Sequence, residues 1–224
     1  MVPEGTIVFY KGFMIARVYV DGLSLFYGSV KGTPYKWLNV GKLCEKAFPE
    51  LSVKRIKYFT AKVMAPANDP SKKRRQLYYL RALRTLPNFE PKYGRFYSHY
   101  IDLPKAESWR RGVYELVEVL KTEEKQTDVN IASHMVNDSW LYKFEVAVLI
   151  TNDTDYKTPI DMLKKRGIQI WLLSPTTISG DAPAWLLAKD SDRVKVISQE
   201  MLRDCQFPEI MSDRDGPFYK PASW

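Results

Sequence analysis

Soft and borderline metal ligands are scarce in this chain of 224 residues, which has two cysteines and two histidines. Cys44 and Cys205 belong to no CxxC pair, and His99 and His134 cannot complete a zinc-type spacing with them. A zinc site is therefore not expected, and the thiols read as reduced, buried side chains of a cytoplasmic protein. Long apolar runs are also missing. Nothing approaches the roughly 20 residues of a spanning helix, and the most apolar N-terminal stretch, residues 14–20, contains Arg17 and runs into Asp21, so neither export nor membrane insertion is expected. No GxxxxGKS/T loop offers itself to nucleotide phosphates, and no Ser-His-Asp or Cys-His set can be assembled, which sets aside P-loop NTPases and nucleophilic hydrolases. Internal repeats and low-complexity linkers are absent.

What is present is charge of one sign in excess, with 34 Lys and Arg against 26 Asp and Glu and a net charge of +8. A basic surface favours polyanions through counterion release, and nucleic acid or an anionic membrane would both satisfy it. Runs rich in Val, Ile, Tyr and Phe predict strands at residues 14–20, 54–63, 95–101, 113–120, 146–151 and 168–174. Apolar spacings of three and four predict helices at residues 38–47, 71–86, 129–140 and 159–166, the last stopped by Gly167. Strands alternating with helices imply a single α/β domain with a parallel sheet covered on both faces. We divide the chain into an N-terminal extension (1–13, with an edge strand at 6–10), a domain at 14–204 and an irregular tail at 205–224 that packs on it.

In an open parallel sheet, ligands bind beyond the carboxyl ends of the strands, so acids just past an apolar strand come first. Asp21 follows MIARVYV directly, and Asp153 and Asp155 follow VAVLI. If those two strands are neighbours, three carboxylates meet in one crevice, and a divalent cation is the natural relief of their repulsion. Asp128 adds a fourth acid at the start of a helix, where the helix N-terminus favours negative charge. Each acid has a plain alternative: Asp21 as a turn residue before Gly22, Asp128 and Asp155 as helix-opening residues. His134 and Asp138 lie one turn apart further along, but Asp138 is about 15 Å from Asp128 on a straight helix and cannot share an ion with it.

These residues carry a resemblance. VYVDGLSLFYG at 18–28, KTEEKQTDVNIA at 121–132 and AVLITNDTDY at 147–156 resemble the NYN domain, a member of the PIN-like nuclease superfamily, and the likeness runs from about residue 14 to 175. The resemblance implies a three-layer α/β/α sandwich with a central, mainly parallel sheet, and ribonuclease chemistry dependent on Mg²⁺ or Mn²⁺. It places catalytic, metal-binding acids at Asp21, Asp128, Asp153 and Asp155, supported by Ser24, Asn152, Thr154 and Glu124. The family's usual DGxNL and EKGxD differ here, where Ser24 and Gln126 stand. The ion would polarise the phosphoryl oxygen, activate water and steady the leaving 3′ oxygen.

RNA, single-stranded or structured, is the expected partner, cut internally, and the run SKKRRQLYYLRALR is its expected path. Lys72, Lys73, Arg74, Arg75, Arg81 and Arg84 would meet the backbone, with Tyr78 and Tyr79 available to stack on bases and Trp109, Arg110 and Arg111 forming a second patch. The plain alternative is a solvated helix face over Leu77, Leu80 and Leu83. A homo-oligomer or a regulatory protein partner is left open. Two rivals remain: an RNA-binding NYN protein with weak or lost catalysis inside a larger assembly, and a phosphatase or receiver-type domain. The latter is disfavoured by the missing DxDxT after the first strand and by the absence of a well-placed late lysine.

Overall fold

The computed structural model describes residues 12–63, 65, 68–178 and 182–224. Six strands of one seven-stranded sheet run parallel: β1 (Met14–Asp21), β2 (Leu51–Ala61), β3 (Phe89–Pro104), β5 (Val146–Ile150), β6 (Gln169–Ser174) and β7 (Arg193–Val196). The seventh, β4 (Leu116–Lys125), pairs antiparallel with β3, and the order across the sheet is β4-β3-β2-β1-β5-β6-β7. The sheet is mainly parallel, as its residues imply. The edge strand expected at residues 6–10 lies outside the described residues.

Strand β1 is central, and its residues from Ala16 to Asp21 are buried on both faces. Ala16, Val18 and Val20 join a core layer with Leu43, Leu80, Leu83 and Trp171, beneath α2 (Val40–Ala47), α3 (Lys72–Leu83) and α8 (Gln199–Asp204). Tyr19 faces the opposite layer with Ile131, Met135, Ile160 and Leu163, under α5 (Thr127–Leu141), α6 (Lys157–Lys165) and α7 (Trp185–Asp190). The result is the three-layer α/β/α sandwich. All five residues of β5 are buried, which is why VAVLI reads as a continuous apolar run and not an alternating one. Helix α6 ends as its sequence predicts: Gly167 has φ +76° and donates to the Lys164 carbonyl, while Ile168 donates to Leu163.

Two elements differ from the sequence expectation. The strands expected at 95–101 and 113–120 form one long hairpin, because the segment between β3 and β4 holds only the short helix α4 (Ala106–Arg110), too little chain for a parallel crossover. Strand β3 pairs with β2 over residues 89–94 and then runs on past it, paired only with β4, whose side chains are mostly exposed. Residues 205–224, expected to be irregular, contain a second hairpin of β8 (Ile210–Asp213) and β9 (Gly216–Tyr219). Four-residue strands carry too little pattern to be seen in sequence. They are held instead by Arg81, which donates to both Asp213 oxygens (2.8 and 2.6 Å) and to the Gly216 carbonyl (2.9 Å) while lying 4.3 Å from the Phe218 ring.

Helix α5 is fastened to the sheet by ionic contacts. Asp138, 1% exposed, accepts from Arg17 Nε (3.2 Å), Tyr19 Oη (3.0 Å) and Lys57 Nζ (2.8 Å). His134 Nδ1 lies 3.1 Å from Lys57 Nζ, and burial followed by the Lys57 charge lowers its pKa, so the neutral ring accepts from the lysine. Removing one partner from such a buried set costs about 3–5 kcal/mol, so His134 and Asp138 have a structural occupation.

At the other end of α5 the chain turns through Gln126, whose φ of +82° is the one positive φ at a non-glycine among the described residues. Gln126 stands where the resemblance puts glycine, and its Cβ makes this left-handed backbone strained. Gly94 lets β3 pass this turn, since a Cβ there would lie 2.7 Å from the Lys125 carbonyl and from Thr127 Oγ1. Left-handed backbone costs an ordinary residue about 1–2 kcal/mol, offset in part by the greater entropy of an unfolded glycine. Gln126→Gly should therefore raise stability by about 0.5–1 kcal/mol in urea unfolding. An unchanged or lower midpoint would show that the side chain repays the strain.

Candidate functional site

The register of the three central strands builds the site. Asp21 ends β1 opposite Phe59 of β2, and on its other side Val20 pairs with Ile150 of β5, which sets the next residue pair, Asp21 and Thr151, beside each other. Thr151 Oγ1 donates to Asp21 Oδ2 at 3.0 Å. Asp21 Oδ1 caps the short helix α1 (Gly22–Leu25), accepting from the amides of Leu23 (3.1 Å) and Ser24 (2.9 Å). Gly22 is required there, since a Cβ would lie 2.7 Å from the Phe59 carbonyl and 2.8 Å from the Tyr58 ring. Asp21 is thus both the turn residue its sequence suggested and a carboxylate sunk into the carboxyl edge of the sheet, 5% exposed.

The other acids gather around it. Burial raises the Asp21 carboxyl to about 6, the three hydrogen bonds oppose this, and the Asp128 charge adds to the rise. Glu124, near the end of β4, is raised by burial and by the charges of Asp21 and Asp128, while its hydrogen bond from Thr127 Oγ1 lowers it. Asp128 is exposed at the start of α5 and accepts from Tyr156 Oη at 2.9 Å. The Tyr156 phenol, 1% exposed, is pushed far above its usual value by burial and then by Asp21, Asp128 and Asp153. It remains protonated and donates. Asp21, Asp128 and Asp153 therefore all act on this phenol, and Asp21 and Asp128 act on Glu124 as well. Among the described residues, none of these four, nor Asp155, takes part in an ion pair.

The remaining sequence-derived positions divide by where the loop after β5 puts them. The Asp153 amide donates to Thr151 Oγ1 (3.2 Å), and Asp153 Oδ1 accepts from the Asp155 amide (3.0 Å). Asp155 and Thr154 are exposed beyond that turn. Ser24 Oγ accepts from the Asn152 amide (3.0 Å), and Asn152 Oδ1 accepts from Ser174 Oγ (3.3 Å) and the Ala184 amide (2.7 Å). Ser24 and Asn152 thus brace the loop that carries Asp153. Tyr156, Thr151 and Tyr58 escape sequence reasoning, because a tyrosine or threonine beside an acid carries no pattern until the strands are paired.

A hard divalent cation suits an all-carboxylate donor set, and Mg²⁺ commonly takes only one or two carboxylates and keeps its waters. Among the described residues no three His, Cys, Asp or Glu side chains are grouped so that they could hold a metal ion together. By chemistry the carboxylates fit an ion that takes one or two of them and keeps its waters; Asp128 has one oxygen held by Tyr156. Of the basic run, Arg81 is committed to the C-terminal hairpin, Arg75 to Asp69 and Ser71, and Arg84 to Tyr93 Oη, Lys72 acts on Asp69 without an ion pair, and Lys73 and Arg74 form no ion pair among the described residues. Cys44 and Cys205 are both buried and unbridged.

The NYN domain family matches residues 16–187 of this chain. A relative from Pseudomonas putida (strain DSM 28022 / S16), the 6-hydroxy-3-succinoylpyridine 3-monooxygenase HspA, is 31% identical over 93% of this chain and 74% of its own length. The crystal structure of VPA0982, a protein of unknown function from Vibrio parahaemolyticus RIMD 2210633, is similar in fold. It covers 84% of this chain and 94% of its own with a TM-score of 0.51 and 15% identity.

Asp21 supplies a test of the site's electrostatics without any substrate. Its folded carboxyl titrates at about 6 against an ordinary 3.8, so its protonated form favours folding and that contribution is lost as pH rises through about 6. The loss is on the order of 2–3 kcal/mol. In chelator, Asp21→Asn should melt higher than the wild type at pH 8, with the gap closing by pH 4, because the amide keeps the Oδ1 cap and carries no charge. Equal melting temperatures at pH 8 would show that the carboxylate is adequately solvated.

Proposed function

Because the chain belongs to the NYN domain family, within the PIN-like nuclease superfamily, we propose that it is a metal-dependent ribonuclease cutting internal phosphodiester bonds of RNA at the Asp21 crevice. The observation that carries this reading is that Asp21, Asp128 and Asp153 all act on the buried Tyr156 phenol, and Asp21 and Asp128 on Glu124, while none of the four has an ion-pair partner among the described residues. PIN-like nucleases generally use divalent metals. When bound, Mg²⁺ or Mn²⁺ would polarise the phosphoryl oxygen and supply a water of lowered pKa.

The chain's own residues then have distinct duties. Asp128 and Asp153 would supply carboxylate oxygens to an ion that keeps several waters, and Glu124 and Asp155 would reach it through those waters. Tyr156 donates to Asp128 Oδ1, holding one oxygen so that the other is free to bind. Asp21 has its oxygens engaged by two amides and Thr151, so it fixes the negative potential of the crevice and keeps β1, α1 and β5 in register. No helix among the described residues is long and apolar enough to cross a membrane.

The relative's name, a monooxygenase of 6-hydroxy-3-succinoylpyridine, supports a second reading, hydroxylation of that kind of substituted pyridine. Oxygen uptake on adding that compound with a reduced nicotinamide donor distinguishes the two. On the first reading, labelled RNA is cut with Mn²⁺ or Mg²⁺ and spared in chelator. Asp128→Asn and Asp153→Asn should each lower single-turnover cleavage at saturating metal by at least about a hundredfold, some 2.7 kcal/mol of barrier, with melting temperatures near the wild type. Wild-type turnover in either folded variant would remove that residue from the metal-holding set. Oxygen uptake without RNA cleavage would favour the second reading.

A further inference from the structure

An open cleft of about 380 Å³ lies between the first turns of α3 and the segment that follows β9. That volume is in the range of ligand sites. The charged and aromatic groups facing it are Arg74, Arg75, Tyr78, Tyr219 and Lys220, and no acid lines it. Arg75 is spent on Asp69 and Ser71 and forms a fixed wall. Arg74 and Lys220 have no acidic partner among the described residues, and Tyr78 and Tyr219 are 36% and 59% exposed. We propose that this cleft is a subsite for one nucleotide of a single-stranded RNA, its phosphate between Arg74 and Lys220 and its base against Tyr78 or Tyr219. The inference rests on the reading that this protein acts on RNA.

Position and rigidity both support it. Helix α3 begins just beyond the carboxyl end of β2, where the Gln76 side chain donates to the Ala61 carbonyl and accepts from the Val63 amide. Phe59 of that strand end pairs with Asp21, so the start of α3, which lines the cleft, lies toward the carboxyl ends of the strands that carry the acids. The opposite wall is anchored at both ends, by Arg81 on Asp213 and Gly216, and by Trp224, whose ring packs 5.8 Å from Tyr79 and 6.2 Å from Trp37. A single strand suits the arrangement better than a duplex, because tyrosine faces stack only on bases that are free of their own pairs. The division of labour is electrostatic: the acids at the strand ends repel phosphate unless a cation is bound, and a cleft with two unpaired cations holds the chain nearby.

The test measures binding apart from cleavage, with the full chain carrying Asp128→Asn, a fluorescent oligouridylate, and an abasic strand of equal length that keeps the phosphates alone. Tyr78→Ala combined with Tyr219→Ala should raise Kd for oligouridylate about tenfold and leave the abasic strand unaffected, while Tyr78→Phe with Tyr219→Phe should bind like the parent. Arg74→Ala with Lys220→Ala should weaken both strands and flatten the log Kd against log salt slope by about 1.4, as loss of two single-strand phosphate contacts requires. In the cleaving form these variants should raise KM and leave kcat within about twofold. Wild-type Kd values and salt slopes in all folded variants overturn the subsite, as does failure of the parent to bind RNA at all. RNA binding that depends on the cleft in a chain that cuts no RNA would retain the subsite and remove the nuclease reading. Cleavage with cleft-independent binding would do the reverse.

Discussion

The buried carboxylate of Asp21 is the constraint on which the site depends. A charge held at 5% exposure is costly, and here it is met by hydrogen bonds and not by a cation: two amides of α1 and the Thr151 hydroxyl. Those three bonds tie the end of β1 to the helix that follows it and to the neighbouring strand β5, so the carboxylate also sets the geometry of the crevice. The helix can begin so abruptly only because Gly22 has no side chain to strike Phe59 and Tyr58.

Helix α5 shows how one element carries acids of opposite fate. At its start Asp128 is exposed, bonded to a phenol and near other carboxylates. Near its end Asp138 is buried among Arg17, Lys57 and Tyr19 and locks the helix to β1 and β2. The two are ten residues apart, so neither compensates the other. The anchored end makes the position of the free end rigid, and the Gln126 turn before it delivers Asp128 and Glu124 to the same place despite the missing glycine.

The basic residues divide in the same manner. Arg17, Arg75 and Arg81 each have an acidic partner and serve the fold, the last by clamping the C-terminal hairpin. Lys73, Arg74 and Lys220 form no ion pair among the described residues. A net charge of +8 is therefore a poor guide to where an anion binds, since partners, and not counts, decide which cations are available.

Strand β5 as a buried core strand, the stop of α6 at Gly167 and the acids after β1 and β5 were all legible in the chain, because each is a local matter of apolar runs, backbone freedom and residue order. The parallel sheet followed from the alternation of strands and helices. Other features belong to tertiary structure, because they join residues far apart in sequence. The register that sets Asp21 beside Thr151, the approach of Tyr156 to Asp128, and the seat of Asp138 among Arg17 and Lys57 are of this kind. So is the hairpin at the C-terminus, whose short strands have no periodicity and exist because Arg81 binds them. Sequence by itself determined which residues could be acidic ligands and on which strands they stood. Only folding decided which of them share a crevice, since that depends on strand order and on which charges find partners.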